Sequence, residues 1–187
     1  MSKSRKEGEE MLEILKSKKI AIASGIFTVV MFIVVVFIVN PMIDEKDGTD
    51  VLSLQLAFDK DVGVSIVENW TEVGLSNFKH LFFTDYLYAL GYSIFFASLL
   101  SILIFKANKE HDIKYIWVVY LSFFAGFCDW LENTIELFFV NNMEGFSSGL
   151  FFSHSVIATL KWLSVPIAFG YIFVLLYKVM YHNERKE

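Results

Sequence analysis

Residues 115–140 read YIWVVYLSFFAGFCDWLENTIELFFV, an apolar segment of helical length with polar and charged side chains in its second half. Glu132, Asn133 and Glu136 follow Asp129 by three, four and seven residues, so all four side chains lie on one face of an α-helix. A charged face cannot point at lipid hydrocarbon, because an ionised side chain is costly there. The segment therefore predicts a membrane-spanning helix whose polar face packs against other helices.

The composition indicates an integral membrane protein. Of the 187 residues, 55% are hydrophobic and 17% aromatic, and the mean hydropathy of +0.51 is too high for an ordinary soluble domain. The net charge of −5, without a long Lys/Arg run, gives no indication of a nucleic-acid partner. Because Cys128 is the only cysteine, an intramolecular disulfide is excluded.

Four segments reach the roughly 20 apolar residues needed to cross a bilayer core. The predicted fold is therefore all-α, an integral membrane four-helix bundle. Its predicted parts are a cytoplasmic N-terminal segment at 1–19, a four-span domain at 20–178 and a cytoplasmic tail at 179–187. Within that domain the predicted spans are 20–40, 85–105, 115–140 and 150–177, with an outer loop at 41–84.

The basic residues predict the orientation, since short loops rich in Lys and Arg stay in the cytoplasm. Such residues cluster before the first span, between the second and third, and after the fourth. We therefore expect both termini on the cytoplasmic side, in a plasma (inner) membrane.

The outer loop has structure of its own in this prediction. Partial alternation of apolar residues over 51–58 predicts a short extended piece. Asp59 or Asp61 is a candidate cap for an amphipathic helix that lies on the membrane surface or covers the bundle. The apolar face of that helix consists of Ile66, Val67, Trp70 and Val73.

Two other predicted spans also contain polar stripes. His154 and Lys161 are seven residues apart in the fourth span, and Asp85, Tyr88 and Tyr92 line one face of the second. These side chains therefore face the same interior as the polar face of the third span.

The rise of a helix predicts the depth of the charges. At about 1.5 Å per residue, Asp129 lies about 21 Å from the cytoplasmic end of its span, and Lys161 lies about 16 Å from the outer end of the next. The two side chains should therefore meet. The prediction is a polar cleft open to the outside and closed at its bottom by an Asp129–Lys161 pair.

The carboxylates of this cluster outnumber its cations. Four acids, namely Asp85 and the three on the third span, face Lys161 and at most one further charge from His154. Proton uptake by some carboxyl groups, a bound cation, or water in an open vestibule would each remove the imbalance. The sequence leaves these alternatives open.

Several short motifs together resemble those of a group of small bacterial four-span membrane proteins. The motifs are LQLAF at 54–58, DYLY at 85–88, the Gly-x-x-Asp-x-x-Glu-Asn run at 126–133, and KW at 161–162. The resemblance implies that Asp85, Asp129, Glu132, Asn133 and Lys161 act as one unit, but it implies no reaction. The sterol-isomerase and sigma-2-receptor superfamily is similar only in architecture and in its use of acids within a small helical bundle.

The favoured function is binding of a lipid or of a small amphiphilic or cationic ligand. One alternative is an intramembrane enzyme with Asp129 or Glu132 as general acid or base, and another is an accessory subunit that assembles with a membrane-protein partner or with itself. No catalytic residue is assigned. No cofactor is expected, and no metal, because one histidine without a second His or Cys nearby is a poor transition-metal signature. The predicted ligand-binding residues are Asp85, Tyr88, Tyr92, Asp129, Glu132, Asn133, Glu136, His154 and Lys161.

Overall fold

A computed structural model describes residues 3–39, 51–107 and 115–184 of the chain. Their regular structure is helical, and these described ranges contain no β-strand. The helices are α1 (Lys3–Leu15), α2 (Lys18–Ile33) with a π-helical continuation (Val34–Val39), α3 (Val51–Gln55), α4 (Lys60–Glu68), α5 (Glu72–Ala107), α6 (Ile116–Asn141) and α7 (Ser148–Glu184). The all-α prediction is confirmed, while residues 41–50 of the predicted outer loop lie outside the described residues.

Within the described ranges, three helical segments are long and apolar enough to cross a membrane. They are Lys18–Ile38, Glu72–Ala107 and Ser148–Tyr181. The first overlaps the predicted span 20–40, and the other two contain the predicted spans 85–105 and 150–177. Glu72–Ala107 also takes in residues 72–84, which the sequence placed in the outer loop. Helix α6 is also long, at 26 residues, but it is not among the three. Its acidic and amide side chains lower its hydropathy.

The chain divides into two compact units. The first consists of Met1–Thr28, Leu90–Gly126 and Leu163–Glu187, and the second of Val29–Ala89 and Phe127–Trp162. In the first unit, α1 contributes Leu12 and Leu15 to a core of aliphatic side chains that includes Leu100, Val118 and Leu175. The amphipathic face of α1 is therefore buried against the protein itself.

The second unit contains an aromatic core beneath residues 51–70, which we call the cap segment. Leu54 and Trp70 of the cap segment are buried in this core. The Trp70 ring packs edge-on against Phe78 of α5, with ring centroids 4.6 Å apart. Phe139 of α6 and Phe151 of α7 pack at 4.7 Å in the same core. The cap segment thus covers the ends of three helices with its apolar side.

The structure corrects two details of the predicted outer loop. Residues 51–55 form helix α3 instead of an extended piece, because burial of Leu54 and Gln55 needs adjacent residues on one face, which a strand cannot provide. Val73 is 66% exposed and belongs to α5, since the predicted helix ends at Glu68. The predicted cap at Asp59 is confirmed, because its Oδ1 accepts from the backbone N–H groups of Asp61 and Val62.

Gly63 provides a test of how tightly the cap segment is seated. A Cβ at this position would lie 2.3 Å from a ring carbon of Phe151, which is only 1% exposed and has no space to move. We expect Gly63→Ala to destabilise the protein by about 1–3 kcal/mol through overpacking. Thermal unfolding of the purified protein in detergent measures the effect.

Gly170 is the matched control, because it also lies within a helix but has no atom within 4 Å of an added Cβ. Gly170→Ala should leave stability unchanged or raise it by up to about 1 kcal/mol, owing to the better helix propensity of alanine. Equal melting temperatures for the two variants would contradict a close contact between the cap segment and α7.

Candidate ligand-binding site

Helices α6 and α7 meet as antiparallel partners through matched pairs of side chains. Lys161 Nζ donates to Asp129 Oδ1 at 3.1 Å, and His154 Nε2 lies 3.0 Å from Glu136 Oε1. Along each helix, the residue of one pair lies seven positions from the residue of the other pair, which is about two turns. Because the chain directions are opposed, the step of two turns on α6 matches the step on α7, and the predicted Asp129–Lys161 pair forms.

Lys161 holds a second acid. Its Nζ lies 2.8 Å from Glu132 Oε2, so one ammonium group is shared by two carboxylates that are one helical turn apart. Lys161 is 6% exposed, Asp129 3% and Glu132 not at all. Buried charges require such pairing, because the cost of removing them from water is otherwise not offset.

Helix α5 closes the cluster from the other side of α6. Asn133 Nδ2 donates to Asp85 Oδ2 at 2.8 Å. Next to this bond, the Tyr86 and Thr134 hydroxyl oxygens lie 2.6 Å apart, and Trp130 Nε1 donates to the Tyr86 carbonyl oxygen at 3.0 Å. These bonds fix the register of α5 against α6 and so fix the position of Asp85.

The sequence predicted a cleft open to the outside, whereas most of the cluster is buried. Its α6 and α7 members are each exposed by no more than 6%, and the cap segment is bound to α7. Trp162 Nε1 donates to Gln55 Oε1 at 3.0 Å, and the Phe58 backbone N–H donates to Ser155 Oγ at 3.0 Å. Asp85 and Tyr88 are only partly buried, so the exposed edge of the cluster is on α5.

Three buried polar atoms of the cluster lack a hydrogen-bond partner among the described residues. They are Glu132 Oε1, Glu132 Oε2 and His154 Nδ1. Of these, Glu132 Oε2 still contacts Lys161 at ion-pair distance. An unsatisfied buried acceptor or donor costs about 1–3 kcal/mol, so Glu132 Oε1 and His154 Nδ1 are the candidate ligand contacts of the cluster.

The structure brings together eight of the nine predicted site residues within the second unit. Tyr88 lies on the same α5 face as Asp85, and its ring centroid is 6.2 Å from that of Phe32 on α2. The exception is Tyr92, which belongs to the first unit, where it is buried and its ring lies 6.2 Å from Phe96. We do not assign Tyr92 to the site.

The sequence prediction missed the residues that position the cluster. Gln55 and Trp162 hydrogen-bond across the cap segment and α7, and Tyr86, Trp130 and Thr134 link α5 to α6. These side chains are uncharged, but their polar atoms form hydrogen bonds within the protein. Gln55, Tyr86 and Trp162 lie in the LQLAF, DYLY and KW motifs. Trp130 lies within the Gly-x-x-Asp-x-x-Glu-Asn run and Thr134 follows it, and only these motifs distinguished the five residues in the sequence.

Comparison of the chain with protein families, with curated proteins and with solved structures finds no match. The resemblance to small bacterial four-span proteins stays a prediction. Fold and site therefore define a class only: a helical protein with three helices that are long and apolar enough to cross a membrane, and with a buried acid–lysine–histidine cluster.

Lys161→Met tests whether the shared ammonium group holds the cluster together. We expect it to lower the free energy of unfolding by about 3–5 kcal/mol, since Asp129 and Glu132 would remain buried without their common cation. Denaturant unfolding of the purified protein in detergent measures the change. Adding Asp129→Asn and Glu132→Gln should restore much of the loss by removing the unpaired charges.

Lys60→Met is the matched control, because Lys60 Nζ donates to the Glu144 carbonyl oxygen at an exposed position. Its effect should stay within about 0.5 kcal/mol. If Lys161→Met proved as mild as Lys60→Met, the cluster would not depend on its lysine.

Proposed function

We propose that this chain is a four-span integral membrane protein that binds a lipid or small amphiphile with a cationic head group at the exposed edge of the buried acidic cluster. In this proposal α6 is the fourth span, the spans form one bundle, and both termini are on the cytoplasmic side of a plasma (inner) membrane. Binding is non-catalytic.

The distribution of side chains on α6 supports its role as a span. Its acids and its internal amide are buried, whereas the exposed side chains between its ends are apolar or aromatic, including Phe127 at 59% and Phe138 at 64% exposure. A helix of a soluble protein shows the opposite arrangement. A polar interior with an apolar exterior is what a lipid environment requires of a helix with charged residues.

The basic residues support the orientation. They flank the predicted cytoplasmic ends, whereas the cap segment contains only Lys60. Gly63, Trp70 and the other buried residues of the cap segment then cover the outer end of the bundle.

The proposal that the ligand is cationic rests on one observation, the excess of carboxylates in a buried cluster. Lys161 is shared by Asp129 and Glu132, Glu136 pairs with His154, and Asp85 accepts from the neutral amide of Asn133. Burial removes the solvent that would otherwise screen this excess. A positively charged group next to Asp85 would directly reduce this excess of negative charge.

The surroundings of Asp85 support an amphiphile as the source of that charge. Asp85 and Tyr88 are only partly buried, and their exposed neighbours on α5 are Phe83 and Leu87. Phe32 of α2, 45% exposed, packs next to Tyr88. A ligand at this edge would place its head on the carboxylate and its tail along apolar side chains that also contact lipid.

Binding is favoured over acid–base catalysis by the positions of the two candidate acids. Asp129 and Glu132 both contact Lys161 and are buried away from the exposed edge. A general acid or base must come within hydrogen-bond reach of its substrate. Asp85, the acid at the edge, is therefore assigned to ligand contact.

Asp85→Asn tests the proposal. The probes are dodecylammonium, neutral dodecanol and anionic dodecanoate, each titrated into the protein in nanodiscs while tryptophan fluorescence is recorded. Wild-type protein should bind the ammonium probe at least about tenfold more tightly than the alcohol, because a charge-assisted hydrogen bond is worth about 1.5–3 kcal/mol. Asp85→Asn should abolish this preference.

Asp61→Asn removes the same charge from an exposed position in the cap segment and should keep the preference. Equal binding of ammonium and alcohol by wild-type protein would refute a cationic ligand. A preference that survives in Asp85→Asn would refute the assignment of the site.

A further inference from the structure

We infer that Glu132, Glu136 and His154 form a binding site for a divalent transition-metal ion within the helical bundle. We call these three residues the metal trio. Each has a ligand atom, and the three atoms lie within 4.8 Å of one another. Glu132 and Glu136 are one turn apart on α6, and His154 projects from α7 to meet them. The trio thus converges from two helices on one point.

An independent observation points to a ligand at this place. Glu132 is fully buried, and its Oε1 has no hydrogen-bond partner within the part of the chain that the structure describes. Its other oxygen, Oε2, is engaged by Lys161. Glu132 therefore has one oxygen at ion-pair distance from the lysine and one without a hydrogen-bond partner. A metal ion would satisfy that oxygen.

The donor set determines the class of metal. Two carboxylates and one imidazole suit Zn²⁺, Mn²⁺ or Fe²⁺, whereas Mg²⁺ and Ca²⁺ prefer oxygen ligands alone. Bonds of about 2.0–2.2 Å require the ligand atoms to approach one another more closely than 4.8 Å. Two of the three ligand groups already meet, since Nε2 of His154 and Oε1 of Glu136 are 3.0 Å apart.

The sequence analysis predicted no metal because there is one histidine without a second His or Cys nearby. The carboxylates of the trio supply the missing ligands, and a fourth position remains for water or another donor. Lys161 then acts as a positioning residue, because its contact with Oε2 at 2.8 Å orients the Glu132 carboxylate.

The inference goes beyond amphiphile binding and is compatible with it. A divalent ion would balance Glu132 and Glu136, Lys161 would balance Asp129, and Asp85 would remain for a cationic head group. The two proposals use different residues, so either can fail alone.

The test uses the full-length wild-type chain in detergent, stripped with a chelator, dialysed and titrated with Zn²⁺. We expect one Zn²⁺ per chain by elemental analysis after desalting, little competition from excess Mg²⁺ or Ca²⁺, and a Zn²⁺-dependent rise in melting temperature. X-ray absorption should show one imidazole nitrogen among oxygen ligands. No retained Zn²⁺, or bound Zn²⁺ without imidazole, would overturn the inference.

Variants then assign the ligands. Glu136→Gln and His154→Gln should each weaken Zn²⁺ binding by at least about 100-fold, since even outer-shell changes cost 10–100-fold. Glu144→Gln, the same change at an exposed glutamate after α6, should bind as the wild type does. Unchanged affinity in Glu136→Gln and His154→Gln would overturn the assignment. If either variant does not fold, the X-ray absorption spectrum of the wild-type protein shows whether an imidazole nitrogen binds Zn²⁺.

Two cross-tests separate the proposals. Asp85→Asn should keep Zn²⁺ binding, and Glu136→Gln should keep the preference for the ammonium probe. Loss of Zn²⁺ binding in Asp85→Asn would show that the metal is not held by the trio.

Discussion

The ammonium group of Lys161 is the interaction on which the cluster depends. It lies between Asp129 and Glu132, two acids one turn apart on α6, and contacts both of them. Without it, two carboxylates would face each other in a region shielded from water, at a cost that few contacts could offset. The register of α6 against α7 follows, because only one alignment of the helices places Lys161 between both acids.

That register determines the neighbours of the pair. With Asp129 opposite Lys161, Glu136 comes opposite His154 and Phe139 opposite Phe151, so an ionic contact, a histidine–carboxylate contact and an aromatic contact occur in order along the helices. The aromatic core lies next to the cluster, because the Phe151 and His154 ring centroids are 5.5 Å apart. The partly exposed members of the cluster, Asp85 and Tyr88, lie on α5.

Much of the polar face could be predicted because helical spacing requires no knowledge of the fold. The offsets within 129–136 placed four side chains on one face, and the rise per residue placed Lys161 at the depth of Asp129. Spacing fails where packing between elements decides. Residues 51–55 alternate like a strand, yet they form helix α3, in which Leu54 and Gln55 are buried.

The sequence by itself indicated that the chain is helical, that it contains segments apolar enough to span a membrane, and that acidic, basic and imidazole groups fall on shared helix faces. These follow from composition and periodicity, which act locally. Only the tertiary structure decided that Glu132 shares Lys161 with Asp129, that Glu132 and Glu136 converge on His154, and that the cap segment is hydrogen-bonded to α7. Such contacts depend on distances between atoms of different helices, and those distances are set by how whole helices pack.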